Sequence, residues 1–346
     1  MSPITRRAFL RLLGASLGSA ATGRMLAACG LAPRPEAGLP LATSARATIA
    51  LPTAEPAMPL PPTDTPSEAA PTPAGIPDLA VARGGDDPAV LVERALAALG
   101  GMARFVPSGA SVLIKPNICV AYHSYEYAAT TNPWVVGALV RLAFDAGARR
   151  VCVLDYPFGG SPDQAYARSG IQEQVLAAGG EMLSLSRLQF LPTDIPDGLD
   201  LRTADIHEQA LQSDVVISVP IAKTHGLARL TLGMKNLMGL ILDRQAIHRN
   251  MGQRLADLTS RLRPALTVID AVRILTANGP TGGNLDDVLK LDTVIASPDI
   301  VAADAYASTL FGLQPSDLDY VVAGAAMGLG RSDLGSLRLE EIAVGG

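Results

Sequence analysis

The sequence predicts an α/β protein with a mainly parallel sheet and helices on both faces. Over residues 78–346, short apolar runs rich in Val and Ile alternate with amphipathic segments of helical length, a pattern typical of βαβ units. Asp87-Pro88 and Asn132-Pro133 are typical helix starts, and Gly100-Gly101 marks a helix end. An apolar content of 48% supplies enough material for a core between such layers.

Each predicted strand is a run of five to eight mostly apolar residues. The strands are 78–83, 111–115, 150–155, 181–185, 214–220, 265–272, 289–296 and 337–343, the last at a sheet edge. The predicted helices are 87–99, 132–146, 171–178, 252–262, 298–311 and 318–327. Strand and helix alternate along this order, which favours one continuous domain.

The first 29 residues are a predicted export signal. Arg6 and Arg7 form a twin-arginine motif, and the apolar segment 12–21 that follows is too short to span a bilayer comfortably. The sequence Leu-Ala-Ala-Cys that ends at Cys29 is typical of a bacterial lipobox. We therefore predict twin-arginine export and lipidation of Cys29, with the protein held at the outer face of the cytoplasmic membrane or in the periplasm. An ordinary signal peptide and a short membrane anchor are the alternatives.

Residues 30–77 are rich in Pro, Ala and Thr. Such a composition cannot bury enough apolar surface to fold, so we predict a disordered, extended spacer. The chain then divides into a signal (1–29), a linker (30–77) and an α/β domain (78–346).

Charge and cysteine content exclude several classes of function. The net charge is −5, and removal of residues 1–28 leaves 24 basic against 33 acidic residues, so we expect no nucleic-acid partner. The sequence has no CxxC motif, so we expect neither an iron–sulfur cluster nor a cysteine-based zinc site. Cys119 and Cys152 are either small buried apolar residues or a disulfide formed in an oxidising compartment.

Polar side chains end or follow four of the predicted strands. They are Lys115 and Asn117, then Asp155, then Lys223 and His225, then Asp270. Because the carboxyl ends of parallel strands meet at one edge of a sheet, we expect these side chains to gather where α/β sheets usually bind ligands. For any one of them, a solvated strand end is the plainer alternative.

The turn after the 214–220 strand is the centre of the predicted site. It carries Lys223 and His225, and Lys235 and Asn236 follow in a segment punctuated by glycine. Cationic groups so close to a buried strand are costly to desolvate unless an anion pairs with them. We therefore expect a small anionic molecule, a carboxylate or a phosphate, as the ligand.

The chemical type of each candidate residue predicts its role in the site. The predicted catalytic residues are His225, Lys223 and His248, with His225 as acid/base because its ordinary pKa lies near neutrality and lysine charges would lower it. The predicted ligand-binding residues are Lys115, Asn117, Lys235, Asn236, Gly279 and Gly282, the glycines through backbone N–H groups. Asp155, Asp270 and Asp304 are predicted either to orient these groups or to be the ligands of a divalent cation. Plainer alternatives are a surface role for His248, a snorkelling Lys235 and a simple turn at 279–283.

The same segments resemble a known family. VLIKPN at 112–117, DVVISVPIAKTH at 214–225 and LTLGMKNLMGL at 230–240 are similar to the DUF362 family, and the resemblance covers nearly all of residues 78–346. Many members carry ferredoxin-type cysteine motifs, which this sequence lacks, so the resemblance does not imply an electron-transfer role here. No general activity is established for the family, so the resemblance implies fold and site positions better than a reaction. The His- and Lys-rich arrangement is also similar to that of the nickel-dependent lactate racemase family.

We therefore expect an exported lipoprotein with a ligand- or metal-dependent catalytic site. The cofactor is left open, with a divalent metal as the candidate that the aspartates indicate. The alternatives are a non-catalytic solute- or cofactor-binding lipoprotein and a structural surface protein with an inert site. Replacement of His225 by Ala separates an enzyme from a binder, because an enzyme loses far more rate than affinity.

Overall fold

The computed structural model describes residues 75–345. The export signal, the predicted lipidation site at Cys29 and most of the predicted linker lie outside the described residues. Within 75–345, no helix is both long and apolar enough to cross a membrane.

The described residues contain a ten-stranded sheet and a separate two-stranded hairpin. The strands are β1 (Leu79–Arg83), β2 (Ser111–Pro116), β3 (Arg150–Val153), β4 (Glu181–Met182), β5 (Phe190–Asp194), β6 (Thr203–His207), β7 (Val215–Val219), β8 (Ile221–His225), β9 (Arg229–Thr231), β10 (Leu266–Leu275), β11 (Val288–Ser297) and β12 (Leu339–Ala343). Strands β5 and β6 form the hairpin.

The large sheet is mainly parallel, as predicted. Its order is β12-β1-β11-β10-β7-β2-β3-β4, with β8 beside β10 and β9 beside β8. Strands β10, β7, β2, β3 and β4 pair in parallel, whereas β11 runs antiparallel to both of its neighbours. The parallel half delivers the ends of β2, β3 and β7 to the same edge.

Ten α-helices surround the sheet within the described residues. They are α1 (Pro88–Ala98), α2 (Pro133–Asp145), α3 (Pro162–Ser169), α4 (Ile171–Ala177), α5 (Glu208–Gln212), α6 (Gly233–Asn236), α7 (Gln245–His248), α8 (Met251–Leu262), α9 (Ile300–Thr309) and α10 (Asp319–Ala326). The predicted starts of two long helices are confirmed. The side chain of Asp87 accepts from the N–H of Ala89 at 2.8 Å, and that of Asn132 from Trp134 at 3.0 Å; each cap precedes a proline at the first helical position.

Apolar side chains cover both faces of the sheet. In β2, Val112 and Ile114 belong to one buried cluster and Leu113 to the other, as the two-residue period of a strand requires. Apolar residues of α1 and α2 join the first of these clusters, and those of α8 and α9 join the second. Helices on both faces are therefore confirmed.

The structure corrects the predicted turn after the 214–220 strand. Pro220 has no N–H to donate to a sheet, and β7 ends before it. The chain then continues as β8, which pairs in parallel with β10 and carries Lys223 and His225. The alternation of the strand, and not a turn, sets the directions of these side chains. The hairpin of β5 and β6 and helix α3 were not predicted.

The carboxyl group of Asp257 ties α8 to the segment after the hairpin strand β5. It is fully buried and accepts from the backbone N–H groups of Leu199, Asp200 and Leu201 at 2.7–2.9 Å. A side chain that accepts several backbone N–H groups replaces the missing secondary-structure bonds of a loop.

Asp257→Asn should lower the free energy of unfolding by about 2–3 kcal/mol, because at least one buried N–H would then face an amide NH2 group. Urea unfolding at pH 7 measures this change. The control is Asp86→Asn on the surface, for which we expect a change within about 0.5 kcal/mol. Equal losses in the two variants would contradict the assigned role.

Candidate functional site

A cavity of about 490 Å³ opens where β2, β3 and β8 end. Eight of the residues predicted for the site line it: Lys115, Asn117, Asp155, Lys223, His225, Lys235, Asn236 and His248. The expected convergence of strand ends therefore occurs, although the chain separates these residues by as many as 133 positions.

Lys115 extends from the end of β2 into the buried floor of the cavity and is 1% exposed. Its Nζ lies 2.8 Å from Asp155 Oδ1, 2.7 Å from Asn236 Oδ1 and 2.8 Å from the carbonyl oxygen of Pro116. Burial lowers the pKa of Lys115, and the charge of Asp155 opposes that shift. All three ammonium hydrogens thus have protein acceptors, one of them an anion.

Lys223 is equally buried and also has three acceptors. Its Nζ donates to Asn117 Oδ1 at 2.8 Å and to the carbonyl oxygens of Ala129 at 2.6 Å and Pro280 at 3.0 Å. Burial lowers the pKa of Lys223. Its hydrogen bonds are therefore satisfied within the protein, mostly by neutral oxygens.

Two asparagines connect these lysines. Asn236 Oδ1 accepts from Lys115 and from Asn117 Nδ2, the latter at 3.3 Å. Asn236 Nδ2 donates to the carbonyl oxygen of Lys115 at 2.9 Å and to Ser218 Oγ at 3.2 Å. Both asparagines were predicted to bind ligand, but most of their capacity is used inside the protein.

Lys235, on α6, differs from the other two lysines. It is 9% exposed, and among the described residues the only hydrogen-bond partner of its Nζ is Met238 Sδ at 3.7 Å, a weak acceptor. Burial, with the charges of Lys223 and Lys115, lowers the pKa of Lys235 to about 8. Its ammonium group therefore lies in the cavity wall without a protein anion.

A second buried donor in the wall is also unpaired. Thr231 lies opposite Lys223 in the pairing of β8 with β9, is 3% exposed and lines the cavity. Its Oγ1 has no hydrogen-bond partner among the described residues. Buried hydroxyl groups are normally paired, so this oxygen is an unsatisfied polar atom within the cavity wall.

His225 is held as a neutral donor. Its Nδ1 accepts from the backbone N–H groups of Leu227 at 3.1 Å and Ala228 at 3.2 Å, which leaves the proton on Nε2. Burial, and then the charges of Lys235 and Lys223, lower the pKa of His225 to about 3. The expected direction is confirmed, but the shift is so large that the ring is neutral near pH 7 and offers an N–H where a base was predicted.

His248 reaches the cavity from α7. Its Nδ1 lies 3.2 Å from Gln245 Oε1, and burial, together with the charges of Lys235 and Arg244, lowers its pKa. The cavity therefore contains two imidazoles, and both respond to the charge of Lys235.

Sequence reasoning missed several residues of the site besides Thr231. Arg244 lines the cavity, donates to the carbonyl oxygen of Tyr156 at 2.6 Å and lies 4.6 Å from the centre of that ring. Cys119 also lines it, with Sγ 3.5 Å from the carbonyl oxygen of Pro280. Gly239 leaves no room for a Cβ, which would collide with Asp155 Oδ1. The position of Arg244 four residues before His248 was the one available signal.

The structure separates the three aspartates predicted to hold a cation. Asp155 lines the cavity, but Lys115 and the N–H groups of Tyr156 and Ile118 occupy its oxygens. Asp270 accepts from the N–H of Asn132 at 2.6 Å, at the start of α2. The predicted shared metal site is therefore wrong.

Asp304, like Asp270, accepts backbone N–H groups at the start of a helix. Its carboxyl group accepts from the N–H groups of Gly233 at 2.6 Å and Met234 at 2.9 Å, so it holds the start of α6, which carries Lys235. Burial raises the pKa of Asp270 and of Asp304 to about 7. Within residues 75–345, no group of three His, Cys, Asp or Glu side chains could hold a metal ion.

The glycine loop does not form the predicted anion cradle. The N–H of Gly279 donates to Thr224 Oγ1 at 3.3 Å, and that of Gly282 donates to the carbonyl oxygen of Asn278 at 3.1 Å. The loop contributes instead through Pro280, whose carbonyl oxygen accepts from Lys223. Gly279 and Gly282 therefore shape the loop.

Asp155→Ala should lower the free energy of unfolding by about 3–5 kcal/mol, because it leaves the Lys115 ammonium buried without its anion. The matched control is Glu181→Ala, which breaks the exposed pair with Arg150 and should cost at most about 1 kcal/mol. Urea unfolding of both variants at pH 7 tests the difference, and similar losses would contradict the importance of the buried pair.

Comparison with known proteins places the cavity inside a family domain. The profile described as "Domain of unknown function (DUF362)" matches residues 112–309, more than half of the chain and all three cavity lysines. A thylakoid-associated protein of Synechocystis sp. is 28% identical over 245 residues, which cover 67% of this chain and 72% of that protein.

Two solved structures share a more distant likeness. A Thermotoga maritima protein has 12% identity and a TM-score of 0.40 over 66% of this chain and 60% of that one. The lactate racemase apoprotein of Thermoanaerobacterium thermosaccharolyticum has 11% identity and a TM-score of 0.38, over 62% and 53%. This chain thus matches less than two thirds of either solved chain. From the profile match across the lysine cavity, we conclude that the chain belongs to the DUF362 family.

Proposed function

We propose that this protein is an exported, lipid-anchored member of the DUF362 family that binds a small anionic molecule, a carboxylate or a phosphate, in the lysine cavity. The observation that carries the proposal is the buried ammonium group of Lys235, which has only a thioether for a partner among the described residues.

The contrast with Lys115 gives the physical reason. A buried charge is costly unless an opposite charge and hydrogen bonds compensate it. Lys115 has Asp155 for this purpose, whereas Lys235 lines the cavity with only a thioether partner among the described residues. A bound oxyanion would supply the missing charge and hydrogen-bond acceptors.

The charge of the whole lining supports an anion over a cation. Four cationic side chains (Lys115, Lys223, Lys235 and Arg244) and two carboxylates (Asp155 and Asp243) line the cavity, a formal excess of two positive charges on a chain of net charge −5. The Nε2–H of His225 adds a neutral donor. Donors around a positive centre favour oxyanions.

The protein that binds this anion is either an enzyme or, as the second candidate, a binding protein without catalytic activity. His225 is held neutral with Nε2 protonated, which suits orientation of a ligand oxygen better than removal of a proton. If the domain turns over its ligand, His225→Ala should reduce kcat far more than it weakens binding; a binding protein would have no rate to lose.

The N-terminal sequence supports the cellular location. The twin-arginine motif at Arg6 and Arg7 and the lipobox ending at Cys29 would direct the chain through the membrane and attach it to lipid. The negative net charge supports a small-molecule partner over nucleic acid.

Lys235→Met should weaken binding of malonate or inorganic phosphate by about tenfold or more, since a hydrogen bond to a charged group contributes about 1.5–3 kcal/mol. Titration calorimetry at pH 7 measures the affinity. Lys290→Met is the control, because Lys290 is exposed and paired with Asp292; it should bind as the wild type does. Equal affinities in the wild type and both variants would contradict the assignment of Lys235 to the binding site.

Malonate affinity should fall as the pH rises through about 8, the pKa of Lys235. A bound anion stabilises the protonated amine, so binding raises this pKa and takes up a proton above that pH. Lys235→Arg keeps its charge, so its affinity should stay level to about pH 9. Calorimetric titrations across this range test the slope, and a level wild-type profile would contradict the assignment.

Cys29→Ala should release the protein from the membrane fraction, whereas Arg6→Lys with Arg7→Lys should retain it in the cytoplasm. Fractionation and palmitate labelling in a bacterium with twin-arginine export measure both effects. Membrane association that persists without Cys29 would favour a short membrane anchor over a lipid.

A further inference from the structure

We propose that the Lys235 amine forms an imine with an oxo acid, a ligand that carries a ketone or aldehyde beside its carboxylate. This inference rests on the proposed anion site and narrows its ligand class. It follows from how the chain uses lysine, from the contacts of each cavity lysine, and from the donors around Nζ of Lys235.

Lysine is rare in this sequence and concentrated in the cavity. The chain has four lysines and 24 arginines, and three of the lysines, Lys115, Lys223 and Lys235, line the cavity. Elsewhere the chain carries its positive charge almost entirely on arginine. Arginine is permanently charged, whereas a buried lysine can lose its proton and act as a nucleophile.

Among the described residues, Lys235 alone of the three cavity lysines has no oxygen acceptor for its amine. The hydrogen bonds of Lys115 and Lys223 hold their nitrogens against oxygens of the protein. Nζ of Lys235 lies 3.7 Å from Met238 Sδ, and Lys235 lines the cavity. A ligand carbon can therefore approach this nitrogen without displacing a strong hydrogen bond.

The electrostatic setting favours the neutral amine. Lys235 is buried beside Lys223, Lys115 and Arg244, and burial with these charges lowers its pKa to about 8. About a tenth of the amine is then unprotonated at pH 7, against about four ten-thousandths for an ordinary lysine. Neighbouring cations are a recognised means of activating a lysine for attack on carbonyl groups.

The remaining donors can serve the other parts of an oxo acid. The guanidinium of Arg244 lines the same wall and can hold the carboxylate. His225 lines the same cavity, and its neutral Nε2–H is a donor suited to the carbonyl oxygen as negative charge develops on it.

The chemistry balances without an oxidant. The lone pair of Nζ forms a bond to the carbonyl carbon while the C=O π electrons move to oxygen, which takes up a proton to give a carbinolamine. The nitrogen loses its extra proton, the hydroxyl is protonated, and water leaves. The products are a protonated imine and one water, and the imine can accept electrons from the neighbouring carbon.

Borohydride trapping tests the proposal. The purified full-length protein is incubated with pyruvate and then sodium borohydride, and the adduct is located by mass spectrometry of peptides. We expect one adduct per chain, on Lys235, at least about tenfold above Lys290 because a larger fraction of its amine is neutral. Lys235→Arg should give no adduct at the site. Lactate, which has a hydroxyl where pyruvate has its ketone, is the ligand that cannot form an imine.

The outcomes distinguish this inference from the anion site itself. If the wild type binds both pyruvate and lactate but carries no adduct above the level of Lys290, the imine is overturned and the anion site stands. If neither acid nor phosphate binds, both proposals fail. An adduct on Lys115 or Lys223 also overturns the assignment. Because the adduct is mapped on the wild type, a folding defect in Lys235→Arg would not obscure the result.

Discussion

The site depends on the burial of the Lys115 ammonium group. Its three acceptors come from three parts of the chain: Asp155 after β3, Asn236 at the end of α6, and the carbonyl group of Pro116. A buried charge tolerates little departure from such contacts, so they fix α6 against the sheet. That position sets Lys235, one residue before Asn236, in the cavity wall.

Two of the cavity lysines have structural roles, and the proposed binding role belongs to the third. Lys115 and Lys223 have oxygen acceptors for all of their hydrogens, and their charges act on Lys235 through the buried floor. Asp304 supports the arrangement from behind by holding the first turn of α6. Residues that sequence reasoning placed in ligand contact therefore position other groups, and in the proposed site the ligand contacts Lys235 and the neutral Nε2–H of His225.

Sequence predicted the fold class and the gathering of strand-end residues because both follow from periodicity and from the parallel sheet. Sequence reasoning failed for buried side chains whose role depends on their hydrogen-bond partners. Asp270 and Asp304 carry the residue type of a metal ligand but accept backbone N–H groups at helix starts. The neutral form of His225 depends on two N–H groups that only the bend after β8 brings to Nδ1. No sequence pattern records such contacts.

The pKa of Lys235 is the most direct test of this account. With four lysines in the chain, ¹³C labelling at lysine Cε gives few NMR signals, and Lys235→Arg identifies the one of interest. The account predicts a midpoint of about 8 for Lys235 in the free protein and a higher one with malonate bound. A midpoint near the ordinary lysine value of about 10.4, unchanged by malonate, would contradict it.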